Sequence, residues 1–225
     1  MLTADHRQLN FRVRSAWCYL SIVVQTSVLV LWSLSAAAQS ANLGPDAGPK
    51  RELLNSERIE LQFGSYGIDV LESDSQIRVS NLYSHSDGSK VTRTFAVVGY
   101  PTNVDPQFAA EHQAILNGQS IGATFVSADW TVLKTHRYFG ELAASPRVLE
   151  LMGDIEAARL AVHVYVLEVV KESSRFEYAT IVELHHPGYL RLSDLHDIYA
   201  SEGAYLNEPD AATRRMLQIA AGRLQ

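Results

Sequence analysis

The sequence contains almost no cysteine. Cys18 is the single cysteine in a chain of 225 residues, and it lies near the start of the chain. The rest of the chain therefore has no disulfide framework, no thiolate nucleophile and no cysteine-based metal site. Heptads and a Gly-x-y period are also absent. This absence excludes a coiled coil and a collagen-like protein.

Positive charge and recognisable catalytic motifs are scarce as well. The chain has 19 Lys and Arg against 25 Asp and Glu, and its formal net charge is −6 at pH 7. This balance argues against nucleic acid and anionic lipid as partners. The sequence has no Gly-x-Ser-x-Gly elbow, no His-Glu-x-x-His, no phosphate loop and no dinucleotide fingerprint. We therefore expect no cofactor, and the sequence favours a protein without catalytic activity.

The N-terminal segment has the three parts of a secretory signal. Three arginines precede an apolar stretch, which ends in a run of small residues up to Ala38. We predict a signal peptide over residues 1–38 and a flexible linker, rich in Pro and Gly, over residues 39–50. Since residues 17–38 are long enough to cross a bilayer, an uncleaved signal anchor is the alternative. The remainder is expected in the periplasm or secreted, or tethered to the membrane by residues 17–38 on its extracytoplasmic side.

The remaining sequence predicts an α+β domain over residues 51–201 and a C-terminal extension, residues 202–225, with a short amphipathic helix. A single, mostly antiparallel sheet of about six strands, with helices gathered on one face, fits the lengths of the connections. Asp87-Gly88 predicts a tight hairpin turn between two of the strands. The predicted strands are 66–72, 76–84, 91–100, 130–139, 160–171 and 176–186.

The last two predicted strands form the clearest hairpin. Both are apolar on both faces, which indicates a position in the middle of the sheet. If Ser173-Ser174 make a two-residue turn, His163 faces Leu184 and lies diagonal to His186 on the same face. This register decides which side chains can meet.

Histidine and glutamate are the main candidates for chemistry, because neutral imidazole can bind a metal or carry a proton near neutral pH. His163, His186 and His196 form a candidate zinc set, although their spacing matches no known signature. The candidate acid–base residues are His163, His186 and Glu183. Burial of Glu183 among apolar neighbours would raise its pKa, as in many general acids. The alternative is that these histidines make ordinary hydrogen bonds and that Glu183 pairs with a strand arginine.

Aromatic side chains suggest a binding surface. His136 and Tyr138 alternate on one face of the strand 130–139, and Tyr165 adjoins His163 in the predicted hairpin. His136, Tyr138 and Tyr165 are therefore the candidate ligand-binding residues. A solvated outer face and simple packing of tyrosine rings explain the same pattern.

The combined observations favour an exported protein that works by binding, as a ligand-binding or accessory factor of the cell envelope. Its partner would be a small molecule or an envelope protein. One alternative is an extracytoplasmic hydrolase with a His/Glu site, which three titratable side chains meeting in one pocket would favour. Another is a structural or interaction subunit of an oligomer, which an exposed apolar patch on the order of a few hundred Å² would favour.

Overall fold

The computed structural model of the protein describes residues 52–153, 155, 159–199 and 208–223. The predicted signal peptide and linker lie outside the described residues, so cleavage and export stay predictions. Among the helices of the described part, none combines the length and the apolar character that crossing a membrane requires.

One antiparallel sheet of six strands is the centre of the fold. The strands are β1 (Gly67–Ser73), β2 (Ile77–Ser86), β3 (Ser89–Gly99), β4 (Thr131–Ala143), β5 (Arg159–Lys171) and β6 (Ser174–His185). The helices are α1 (Asn55–Phe63), α2 (Ala109–Leu116), α3 (Ile121–Ser127), α4 (Pro146–Met152), α5 (Leu192–Tyr199) and α6 (Ala211–Arg223), with a 3-10 turn at Pro106–Phe108. The strand order is β1-β2-β3-β6-β5-β4. This arrangement confirms the predicted α+β sheet and the interior position of the β5–β6 hairpin.

Helices cover both faces of the sheet, so the expectation that they gather on one face is wrong. The first face carries α1, α2, α3 and α5, with Ile59, Phe125 and Leu195 among the buried contacts. The second face carries α4 and α6, where Val148 and Ala220 pack against the strands. Cover on both sides explains why β5 and β6 are apolar on both faces.

The last helix, α6, docks closely on the second face. Its Thr213 and Ala220 are buried. Gly99 at the end of β3 leaves room for Met216, because a Cβ at Gly99 would lie 2.8 Å from the Met216 sulfur. The apolar stripe predicted for this helix therefore packs against its own sheet.

Turn residues determine the strand register at two hairpins. Asp87 and Gly88 have φ angles of 50° and 80° and form the predicted two-residue turn between β2 and β3. The β5–β6 hairpin instead turns at Glu172-Ser173, with Lys171 paired to Ser174. The predicted turn was therefore one residue too late.

A bulge adds a second shift to the β5–β6 pairing. It lies between Leu167 and Glu168, and beyond it His163 pairs with Glu183. The predicted pairing of His163 with Leu184 is wrong. Because side chains alternate along a strand, this one-residue difference moves Glu183 to the face that His163 occupies.

Candidate functional site

The observed register collects three titratable side chains on the first face of the sheet. His163 lies directly opposite Glu183, and His185 follows Glu183 two residues later on β6. Their exposed fractions are 1% for His163, 4% for Glu183 and 1% for His185. We call these three residues the His–Glu group.

Three atoms that could bind a metal face one another within the His–Glu group. Oε2 of Glu183 lies 4.0 Å from Nδ1 of His163 and 3.9 Å from Nε2 of His185. All three atoms lie within 4.8 Å of one another. Nε2 of His185 is buried and has no hydrogen-bond partner among the described residues. These distances are too long for hydrogen bonds, and the spacing of the three atoms is one that could hold a metal ion.

Asn55 at the start of α1 links the helix to the His–Glu group. Its Nδ2 donates to Oε1 of Glu183 at 2.9 Å and to Oγ1 of Thr94 at 3.1 Å. Its Oδ1 accepts a hydrogen bond of 2.6 Å from the hydroxyl of Tyr189. Tyr165 also donates to Oε1 of Glu183, at 3.2 Å. These bonds occupy one oxygen of Glu183 and direct the other towards the histidines.

A second chain of contacts supports His163 from the side of β4. Nδ1 of His136 lies 2.8 Å from Nε2 of His163, and Nε2 of His136 lies 3.4 Å from Oε2 of Glu52. Lys134 pairs with the other oxygen of Glu52 at 2.7 Å. Burial of Glu52 opposes its ionisation, but the hydrogen bonds and charges of His136 and Lys134 lower its pKa to about 2. The ring of Tyr199 packs 4.4 Å from the His136 ring, centroid to centroid.

Burial determines the protonation states within the His–Glu group. Loss of hydration lowers the pKa of His163 well below its ordinary value and lowers that of His185 to about 3. Both imidazoles are therefore neutral at pH 7. The pKa of Glu183 is raised by burial, against the opposing influence of Lys134 and of its hydrogen bonds with Asn55 and Tyr165. The predicted upward shift of the Glu183 pKa is confirmed.

A pocket opens between α1, α3 and the first face of the sheet. Its volume is about 60 Å³, and Glu183 forms part of its wall. Arg78, Ser80, Lys134 and Tyr165 add polar groups to the lining. The apolar floor is formed by Leu82, Ala96, Val98, Leu167 and Ile181.

Arg78 is a fully buried cation beside this pocket. Its Nε donates to Ser80 at 2.9 Å, and its Nη1 donates to the carbonyl oxygens of Ile115 and Gln119 at 3.0 and 2.7 Å. Nη2 is buried without a hydrogen-bond partner among the described residues. In that part of the chain no carboxylate pairs with this guanidinium, which is unusual for a buried charge.

His186 and His196 lie apart from the His–Glu group. His186 follows β6, where its N–H donates to the carbonyl oxygen of Arg93 at 2.9 Å and its Nδ1 accepts from the N–H of Gly188 at 2.9 Å. His196 lies on α5, with its ring 6.2 Å from that of Phe139. Among the described residues, the group with metal-binding spacing contains His185 instead of these two histidines.

The three candidate ligand-binding residues are divided between the faces. Tyr165 lines the pocket and His136 contacts His163. A bulge in β4 between His136 and Tyr138 turns Tyr138 away, and its ring packs with the apolar residues of the second face. The expected alternation of His136 and Tyr138 on one face is wrong, since the bulge reverses it.

Sequence reasoning missed His185, Asn55 and Arg78 as members of the site. His185 was placed on the opposite face by the predicted register, and no sequence pattern connected Asn55 to Glu183, which lies 128 positions away. Comparison with protein families and with curated proteins finds no match for this chain. Its function is therefore argued from the geometry of the pocket and of the His–Glu group.

Proposed function

We propose that this chain is an exported ligand-binding protein whose pocket holds a small, largely apolar molecule. The observation that carries this proposal is the lining of the pocket, which combines a floor of aliphatic side chains with a few fixed polar groups. Small-molecule sites have this kind of lining. The predicted signal peptide supports a location outside the cytoplasm.

The polar groups of the lining indicate what the ligand carries. Arg78 is held rigidly by three hydrogen bonds, and one of its nitrogens has no partner among the described residues. An acceptor on the ligand, such as a carboxylate or a carbonyl, would compensate this buried cation. We therefore propose an apolar molecule with one acceptor group.

Ligand binding is favoured over hydrolysis because most of the His–Glu group lies outside the lining of the pocket. Its three titratable residues do meet, which is the feature expected of an enzyme. However, only Glu183 of the His–Glu group lines the pocket, and His163 and His185 do not. A substrate in the pocket would therefore meet one member of this group of three, so we place the hydrolase second.

The proposal is tested with an apolar fluorescent anion, anilinonaphthalene sulfonate, as the probe. Ala96 lies in the pocket floor and is 5% exposed, so Ala96→Leu would fill the pocket. Ala161→Leu is the matched control, because Ala161 is 6% exposed and belongs to the same apolar cluster but does not line the pocket. We expect saturable binding at one site per chain, weakened about tenfold or more by Ala96→Leu and unchanged by Ala161→Leu.

Circular dichroism of aromatic side chains checks that both variants keep native packing, since partly folded proteins also bind such probes. Equal weakening in both variants, or probe binding without saturation, would overturn the proposal. If Ala96→Leu does not fold, Ile181→Phe fills the same floor and replaces it.

A further inference from the structure

We propose that His163, Glu183 and His185 bind a divalent transition metal, best matched by zinc, at the inner wall of the pocket. Two imidazoles and one carboxylate are a ligand set that zinc prefers, with a fourth position left for water or another ligand. This inference does not depend on the identity of the pocket ligand.

One assignment of the histidine tautomers leaves the inner atoms of the His–Glu group without protons. Nε2 of His136 lies against the carboxylate of Glu52, so this nitrogen carries the proton and Nδ1 of His136 accepts. His163 then donates from Nε2, and its Nδ1 presents a lone pair to Glu183.

The same reasoning applies to the second histidine. When Nδ1 of His185 donates to Thr94 at 3.0 Å, Nε2 presents a lone pair towards Oε2 of Glu183. Two lone pairs and a carboxylate oxygen then face one another in a buried space, and such an arrangement is repulsive unless a cation lies between them. A metal ion resolves this repulsion, and the outer contacts to His136 and Thr94 orient the ligands as zinc sites require.

The distances allow a metal ion after the ligand side chains adjust. Ligand atoms of a tetrahedral zinc site lie about 3.3 Å apart, given metal–ligand bonds of about 2.0 Å. The distances from Oε2 of Glu183 to the two histidine nitrogens are 4.0 and 3.9 Å. The three ligand atoms lie within 4.8 Å of one another, so binding requires rotation of these side chains to bring each pair to the shorter separation.

Charge and access are both compatible with a metal ion. Lys134 is the cation that most opposes binding of a metal ion, and its 2.7 Å ion pair with Glu52 compensates the charge of Lys134. Glu183 lines the pocket, which provides a path for the ion and a direction for the fourth ligand. The ion would therefore join the wall of the pocket and could contact a bound molecule.

The experiment measures zinc binding by the purified full chain, without a histidine tag, after removal of metal with a chelator. Competition with a chromophoric chelator gives stoichiometry and affinity, and Co²⁺ substitution reports a four-coordinate site by its visible absorption. The variants are His185→Gln and Glu183→Gln. His186→Gln is the matched control, since this neighbouring histidine lies outside the His–Glu group.

We expect one zinc per chain, an increase in Tm on adding zinc, and a loss of affinity of about tenfold or more in both site variants. His186→Gln should bind zinc as the wild type does. Absence of stoichiometric zinc in the wild type, or equal weakening by His186→Gln, would overturn the metal site. If His185→Gln does not fold, the nearly isosteric Glu183→Gln and the wild-type Co²⁺ spectrum decide.

A second pocket-filling variant separates this inference from the proposed ligand binding. For this comparison Val98→Phe fills the pocket floor opposite Ile181 instead of opposite Glu183, so it should lose the fluorescent probe and keep zinc, whereas Glu183→Gln should lose zinc. A protein that binds zinc but no probe would contradict the proposed function alone, and one that binds the probe but no zinc would contradict the metal site alone.

Discussion

Nδ2 of Asn55 donates a 2.9 Å hydrogen bond to Oε1 of Glu183, across 128 positions of sequence. This bond joins the first turn of α1 to the centre of the sheet and satisfies one oxygen of a buried carboxylate. Asn55 is also the acceptor for Tyr189, just beyond β6. Because the same amide also donates to Thr94 on β3, it holds together three parts of the chain that are distant in sequence.

Asn55→Ala is expected to lower the free energy of unfolding by roughly 2–3 kcal/mol, because it leaves Glu183 and Tyr189 without a buried hydrogen-bond partner. Asn81→Ala is the control. Asn81 is 7% exposed against 8% for Asn55, but its Oδ1 has no hydrogen-bond partner among the described residues. Urea unfolding should show a clearly smaller loss for Asn81→Ala. Equal losses would mean that side-chain volume, and not this hydrogen-bond network, stabilises α1.

The β-hairpins show how far sequence reasoning reaches. Asp87-Gly88 was correctly predicted as a turn, because both residue types tolerate positive φ and few other pairs do. The β5–β6 turn places Glu172 at a φ of 54°, and nothing in the chemistry of glutamate indicates this conformation. The error of one residue in this turn shifts the pairing by two residues and leaves the faces unchanged, so it is the bulge between Leu167 and Glu168 that brings Glu183 to the face of His163.

The bulges and the long-range contacts explain the other errors at the site. The bulge between His136 and Tyr138 depends on how β4 lies against β5, and no local sequence pattern marks it. His163 was recognised as a candidate from its position in an apolar strand. Its neighbours Glu183 and His185 could be identified only once the register was known. Local chemistry thus predicted the elements, whereas the site depends on pairings between them.

Arg78→Met is expected to destabilise the fold by roughly 2 kcal/mol, because the carbonyl oxygens of Ile115 and Gln119 lose a charged donor while the buried volume is kept. Hydrogen exchange should increase at the end of α2 and just beyond it, at residues 115–119. Arg93→Met is the control, since the Arg93 side chain donates to Ser84 and otherwise lies over the ring of Phe63. A smaller loss is expected there. Unchanged stability of Arg78→Met would show that desolvation of the cation cancels its hydrogen bonds.

Gly99 and Met216 should behave as a coupled pair. A Cβ at Gly99 would lie 2.8 Å from the sulfur and 2.9 Å from the terminal carbon of Met216, so Gly99→Ala must displace this side chain. We expect Gly99→Ala to cost roughly 1 kcal/mol of stability and to increase hydrogen exchange in α6. In the double variant with Met216→Ala the clash is absent, and the total loss should be smaller than the sum of the two single losses. Additive losses in urea unfolding would contradict this account of how α6 docks.

Glu52 should make stability depend on pH in the acid range. Its pKa is about 2 in the folded protein against 4.5 for an ordinary glutamate, because the hydrogen bonds and charges of His136 and Lys134 on β4 outweigh the effect of burial. Because its pKa is lower in the folded state, Glu52 stabilises the fold fully above pH 4.5, and this stabilisation is lost as the pH falls towards 2. Its total contribution to the free energy of unfolding is roughly 3 kcal/mol.

Glu52→Gln tests this dependence. It should lower stability at pH 7 and flatten the decrease between pH 4.5 and 2, as measured by urea unfolding at a series of pH values. Glu60→Gln, which changes an exposed glutamate of α1, is the control and should retain the wild-type pH profile. If Glu52→Gln loses stability equally at every pH, the carboxylate acts through its shape and hydrogen bonds, and its charge does not contribute.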